Sequence, residues 1–90
     1  MDIFNVTTQQ ILERIARHCP EALGTYLHCL NRADENGTTL FTKQMIEMDM
    51  SESWTRFLNN VKKLAREDLL QWHFFNKSLS VTLVATDEHE

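Results

Sequence analysis

Ninety residues with a formal net charge of −4, two glycines and one proline describe one small globular domain with little room for disordered linkers. The two cysteines, Cys19 and Cys29, are too few for a disulfide scaffold. No apolar run approaches the roughly 20 residues needed to span a bilayer, and Met1-Asp2-Ile3-Phe4-Asn5 lacks the basic end and apolar centre of a secretory signal. The expectation is a cytoplasmic, reduced protein that does not enter a membrane.

In chain order, the first six residues predict only a ragged or short extended start. Thr7 or Thr8 can cap a first helix, 7–19, whose apolar positions are Ile11, Leu12, Ile15, Ala16 and Cys19. Pro20 breaks that helix or opens the next, because proline suits a first helical turn. The second helix runs from about Pro20 to Ala33. Ala22, Leu23, Tyr26, Leu27, Cys29, Leu30 and Ala33 form one broad arc, opposed by Glu21, Thr25, His28 and Arg32. Asp34-Glu35-Asn36-Gly37 is a turn, since Asn-Gly accepts positive φ. Thr38-Thr39-Leu40-Phe41 then suits one short strand.

Thr42 can cap a short helix, Lys43 to about Asp49, with Met45, Ile46, Met48 and Met50 inward or at its edge. Ser51 and Ser53 compete to cap the long helix that follows. At about 100° per residue, Trp54, Phe57, Val61, Leu64 and Ala65 share one side of it. Glu52, Thr55, Arg56, Asn59, Lys62, Lys63 and Arg66 share the other, with Leu58 at the edge, and the helix ends near Glu67-Asp68. Two runs, Leu69–Phe75 and Leu79–Val84, flank the turn candidate Asn76-Lys77-Ser78 and predict a β-hairpin. Trp72, Phe74 and Phe75 must divide between its faces. The tail, 85–90, is acidic and expected to fray.

Leu40-Phe41-Thr42, Ile46, Met50, Ser51-Glu52-Ser53, Phe57…Val61…Leu64 and Asp68-Leu69-Leu70 fall at the spacings of a known pattern. On these residues the stretch 22–84 resembles the winged helix-turn-helix DNA-binding superfamily of bacteria and phages. Ala33-Asp34-Glu35-Asn36-Gly37 looks like the turn before the first strand in its replication-initiator and GntR-type members. Ser51 and Asp68 stand where that family often has glycine, Glu52 where it often has a small apolar residue, and Glu47 where it often has alanine. The implied fold is α+β, mainly α: a winged-helix core over 20–84, an extra N-terminal helix and a C-terminal hairpin wing.

The resemblance implies a sequence-specific reader of double-stranded DNA, a small transcriptional regulator that inserts Ser53–Arg66 into the major groove. Ser53, Thr55, Arg56, Asn59 and Lys63 would lie near base edges. Arginine suits guanine and asparagine suits adenine, because each makes paired hydrogen bonds. Lys43, Gln44, Lys62 and Lys77 would hold phosphates. The bland alternative is a solvated amphipathic helix, or a protein-interaction adaptor that binds through the hairpin or the acidic surface. Charge distribution bears on the choice: Ser51–Lys77 has five basic and three acidic residues, although the chain is acidic as a whole. Weak non-specific DNA affinity follows, since counterion release supplies most of that term.

His18-Cys19 and His28-Cys29 invite a zinc reading. Both cysteines lie on apolar arcs, however, and no Cys-x-x-Cys spacing occurs, so buried structural cysteines are expected. His73, within the aromatic strand, suits a packed or edge position. No phosphate loop, nucleophile elbow or paired-carboxylate site is present, which predicts neither catalysis nor a cofactor. A homodimer is expected from the aromatic hairpin or the first helix.

Overall fold

The computed structural model describes residues 3–84, with side-chain surroundings from residue 9 onward. It is an α+β fold, mainly helical, in which three helices and a three-stranded antiparallel sheet share one core. Helix α1 spans Ile3–His18, a 3₁₀ turn spans Pro20–Ala22, and α2 spans Leu23–Arg32. Strand β1 (Thr38–Thr42) leads into a π-helical turn, Met45–Asp49, and then α3, Trp54–Arg66. The chain closes with β2 (Leu70–Phe75) and β3 (Ser78–Leu83), and β3 is the central strand in the order β1-β3-β2. No helix among the described residues is long and apolar enough to cross a membrane. The expected fraying of 85–90 lies outside the described residues.

Helix α1 starts earlier than the Thr7 or Thr8 cap predicted, and the first residues are not extended from Ile3 onward. Neither glycine nor proline separates Ile3 from Gln9, so nothing local stops the helical hydrogen-bond ladder from reaching back. Arg14 ties α1 to the end of α3: its Nε and Nη2 donate to Glu67 Oε1 at 3.2 and 3.1 Å, and Nη2 also reaches the Glu67 carbonyl at 3.1 Å.

Side chains converge on one core. Ile15, Cys19, Ala22, Tyr26 and Cys29 come from the first half of the chain. Phe41, Ile46, Phe57, Val61, Leu64, Leu69, Leu70, Leu79 and Val81 complete it. Phe41 and Phe57 meet edge-to-face with ring centroids 4.9 Å apart, locking β1 to α3. Both cysteines are buried and unbridged, and burial alone pushes the Cys29 thiol up to about 12.

Assignments on the helical arcs change at Ala16, which is exposed, and at Leu27 and Thr25. Leu27 is 39% exposed, while Thr25, placed on the polar side by its wheel position, is buried. Met48 also points outward, at 69% exposure. The reason is a widened turn: Met50 N donates to the Met45 carbonyl five residues back at 3.1 Å, so the phase of an α-helix no longer applies. Met45, Ile46 and Met50 keep their inward positions, and Thr42 caps as expected, its Oγ1 accepting from Met45 N at 3.1 Å.

Turns carry the remaining connections. Asp34 Oδ1 accepts from Asn36 N and Thr38 N at 2.8 and 3.0 Å, and Gly37 takes φ +78°. Ser53, not Ser51, caps α3, accepting from Arg56 N at 3.3 Å. Ser51 instead reverses the chain at φ +53°. Helix α3 ends in paired bonds, Leu69 N to the Leu64 carbonyl at 3.1 Å and Asp68 N to that of Ala65 at 3.0 Å, with Asp68 at φ +62° between them. This arrangement satisfies two terminal carbonyls and buries Leu64 beside Leu69. The hairpin turn is Asn76-Lys77 alone, both at positive φ, and Ser78 belongs to β3 opposite Phe75.

Ser51 and Asp68 therefore hold a left-handed backbone that costs a side-chain-bearing residue about 1–2 kcal/mol. Part of that gain is returned through the unfolded state of glycine. Ser51→Gly should raise unfolding free energy by about 0.5–1 kcal/mol, and Asp68→Gly by less, since aspartate tolerates this region better. Urea denaturation reads both as a higher midpoint at constant slope.

Candidate nucleic-acid interface

Helix α3 is amphipathic throughout its 13 residues, and its buried stripe of Phe57, Val61 and Leu64 fixes which way the opposite face points. Ser53, Thr55, Arg56, Asn59 and Lys63 come together along the first three turns of that face. With Glu21 and Asn60 they line an open groove of about 400 Å³. Thr55, Arg56 and Asn59 are exposed, so their hydrogen-bonding groups are presented to whatever enters the groove. The Ser53 hydroxyl is already used as the cap, which leaves it a donor for a further contact.

The rest of the proposed contact set does not line this groove. Lys43 and Gln44 are exposed at the start of the segment that leads from β1 into the π-helical turn. Lys77 sits at the tip of the hairpin. Lys62 lies away from the groove, its Nζ 5.7 Å from the centroid of the Trp72 ring, in cation–π range. Lys63 reaches the other way, donating to Glu21 Oε2 at 2.6 Å. That hydrogen bond, with help from the Glu21 backbone, holds the Glu21 carboxyl below the usual carboxylate range. Contact between the two side chains is thus favoured above the ordinary carboxylate pKa and lost as pH falls through the depressed value, releasing Lys63.

Two members of the groove are not among the sequence-predicted contacts. Asn60 is only 7% exposed, and its Nδ2 donates to the Glu21 carbonyl at 3.1 Å and to Thr25 Oγ1 at 3.3 Å. It fastens the 3₁₀ turn and α2 to the back of α3. Its position was legible, because a residue three after Phe57 and four before Leu64 falls within about 60° of both on the wheel. Glu21 had no comparable signal, since it meets Lys63, 42 residues away in sequence, only when the 3₁₀ turn packs against α3.

Comparison of the chain with protein-family models, with curated proteins and with solved structures finds no match. The groove has to be read from its own chemistry. It offers one guanidinium, one free side-chain amide, two hydroxyls and one ammonium already facing a carboxylate. Such a set suits hydrogen bonding to the edge of a planar polar ligand better than holding a bare anion, which Glu21 would repel.

Glu21→Gln tests that balance. Losing the carboxylate frees Lys63 and removes a negative charge from the groove, so affinity for duplex DNA should rise by roughly threefold to tenfold at low salt. The gain should shrink as salt is raised, which a fluorescence-anisotropy titration at two ionic strengths would show.

Proposed function

We propose that this chain is a sequence-specific DNA-binding protein of the winged helix-turn-helix type, a small transcriptional regulator that lays α3 in the major groove. The observation that carries the reading is the gathering of Ser53, Thr55, Arg56, Asn59 and Lys63 on the solvent face of one rigid, capped helix. The order α2, β1, short turn, α3, β2, β3 supports it, with β3 central in the sheet. So do the left-handed Ser51 and Asp68, which take up the backbone shape at the two places where the superfamily often has glycine. On this reading Arg56 and Asn59 contact base edges, while Lys43, Gln44, Lys62 and Lys77 position the helix on phosphates. Regulation follows from occupying an operator or promoter and so blocking or recruiting polymerase.

The test is selection of random duplex DNA by the purified chain over several rounds at two salt concentrations. A recovered motif with affinity falling steeply in salt is expected. With about three lysine–phosphate contacts, the slope of log affinity against log salt would be close to −3. Absence of enrichment at low salt refutes the reading.

One observation favours a second reading. Phe74 and Phe75 are 52% and 61% exposed, an apolar surface that DNA recognition by α3 does not use. An adaptor that keeps this fold and binds another protein through the hairpin would tolerate loss of Arg56 and fail on loss of Phe74.

A further inference from the structure

The groove beside α3 holds one group that phosphates repel, the Glu21 carboxylate, and the chain fixes it there. Pro20 opens the 3₁₀ turn, and Leu23 N closes it on the Pro20 carbonyl. The buried Asn60 donates to the Glu21 carbonyl at 3.1 Å, and Cys19 and Ala22 are buried beside it. The backbone of Glu21 is therefore held, with its side chain at the wall that Ser53, Arg56 and Asn59 share.

Stability does not account for the pairing of Glu21 with Lys63. Their side chains are 48% and 39% exposed, and ion pairs at such exposure contribute little to folding. Asn60 already fastens the turn to α3 from inside, through Glu21 and Thr25. What the pair provides is a donor and an acceptor 2.6 Å apart at a fixed place on the groove wall. One ammonium proton and one carboxylate lone pair are used on each other. The remaining ammonium protons and carboxylate lone pairs stay available.

A C·G base pair shows the complementary arrangement in the major groove. Cytosine N4 offers a free proton, and guanine O6 beside it offers a free lone pair. Those two atoms are hydrogen-bonded to each other, hence about 2.9 Å apart, close to the 2.6 Å between Lys63 Nζ and Glu21 Oε2. Against that edge Glu21 accepts from N4 and Lys63 donates to O6, with guanine N7 next to it for a second ammonium proton. An A·T pair suits the two side chains less well. Adenine N6 separates N7 from thymine O4, and the thymine methyl crowds O4.

We propose that Glu21 and Lys63 act as a unit that reads one C·G base pair, with Glu21 setting specificity and not affinity, a role that rests on α3 being the helix in the major groove. The pair is neutral, so it gains little from phosphates. It discriminates because a wrong base sets the carboxylate against an acceptor or leaves it unpaired. Lys63 lies about 6 Å along α3 from Asn59 and about 10 Å from Arg56. The C·G position is thus separate from the bases those two contact.

Selection of random duplexes, followed by anisotropy on sites with single base-pair changes, tests this. Wild type should select C·G at one position near those that Arg56→Ala and Asn59→Ala relax, and lose at least about fivefold when that pair becomes A·T. Glu21→Gln should bind unrelated duplex more tightly at low salt, yet discriminate at that position by less than about twofold. Its preferences elsewhere in the site should be unchanged. Lys63→Gln should relax the same position and lower affinity. Both variants should keep the wild-type circular-dichroism spectrum, since both side chains are part-exposed. A pair that only ties the turn to α3 would leave base preference alone. Discrimination that survives Glu21→Gln therefore overturns the proposal and leaves α3 as the reading helix. So does a wild-type motif with no such C·G position. If wild type enriches no motif at all, the DNA reading falls and this role falls with it.

Discussion

Replacing Arg56 and Asn59 together with alanine should abolish recognition of a selected DNA site while leaving the fold unchanged. Each side chain suits a paired hydrogen bond to one base, and such a pair is worth about 1–3 kcal/mol of discrimination. If the two add, specific affinity falls by roughly 30-fold to 20,000-fold. Both residues are exposed, and neither side chain bonds to another part of the described chain. Urea midpoints should therefore move little. The salt slope should also stay nearly constant for Asn59→Ala alone, because that change removes no phosphate contact. Anisotropy against the selected site and a scrambled site separates the outcomes. Equal binding of wild type and double variant to the selected site would remove α3 as the reading element.

The largest effect on stability is expected from Phe57→Ala. Phe57 is fully buried, packs edge-to-face on Phe41 at 4.9 Å, and joins the sheet to α3 at the centre of the core. Truncating a buried phenylalanine costs about 3–5 kcal/mol, through lost transfer free energy and the cavity left behind. Small domains commonly have only 5–15 kcal/mol in total, so the variant should be close to half unfolded at modest urea or body temperature. Equilibrium unfolding followed by tryptophan fluorescence would show it. A change below about 1 kcal/mol would mean that the core closes over the gap, which the rigid β1–α3 contact makes hard. The proposed DNA surface should be lost along with the fold, since the stripe that aims Arg56 and Asn59 outward includes Phe57.

Glu21→Gln and the glycine replacements at Ser51 and Asp68 have smaller effects of the opposite sign, each improving on the natural residue. The two sorts of variant act on different terms. Glu21 changes the charge inside the groove, whereas Ser51 and Asp68 change the backbone that holds α3 between its two reversals.

Much of this structure is written in local sequence. The end of α3 follows from the loss of periodicity after Arg66, its start is narrowed by sequence to a cap at Ser51 or Ser53, and its buried stripe follows from the four-and-three spacing of Phe57, Val61 and Leu64. The hairpin follows from alternation in β3 and from a turn at Asn76-Lys77. The exposed contact candidates on α3 were legible for the same reason: a helix that buries one side must present the other. Each of these depends on residues within a few positions of one another, which is the range over which backbone propensity and side-chain period act.

Tertiary packing decided the rest. Thr25 reads as polar surface until α2 packs on α3 and Asn60 donates to its hydroxyl. Lys63 reads as a free cation until Glu21, far away in sequence, arrives beside it. Met48 reads as core until the turn widens to a five-residue step and rotates it outward. Strand β2 is an edge strand only because β3 lies between it and β1. Composition and periodicity determined which elements form and which faces are apolar. Which buried polar groups find partners, which charges are neutralised and which strands lie at the edges of the sheet were settled by contacts between segments, and no local pattern encodes those contacts.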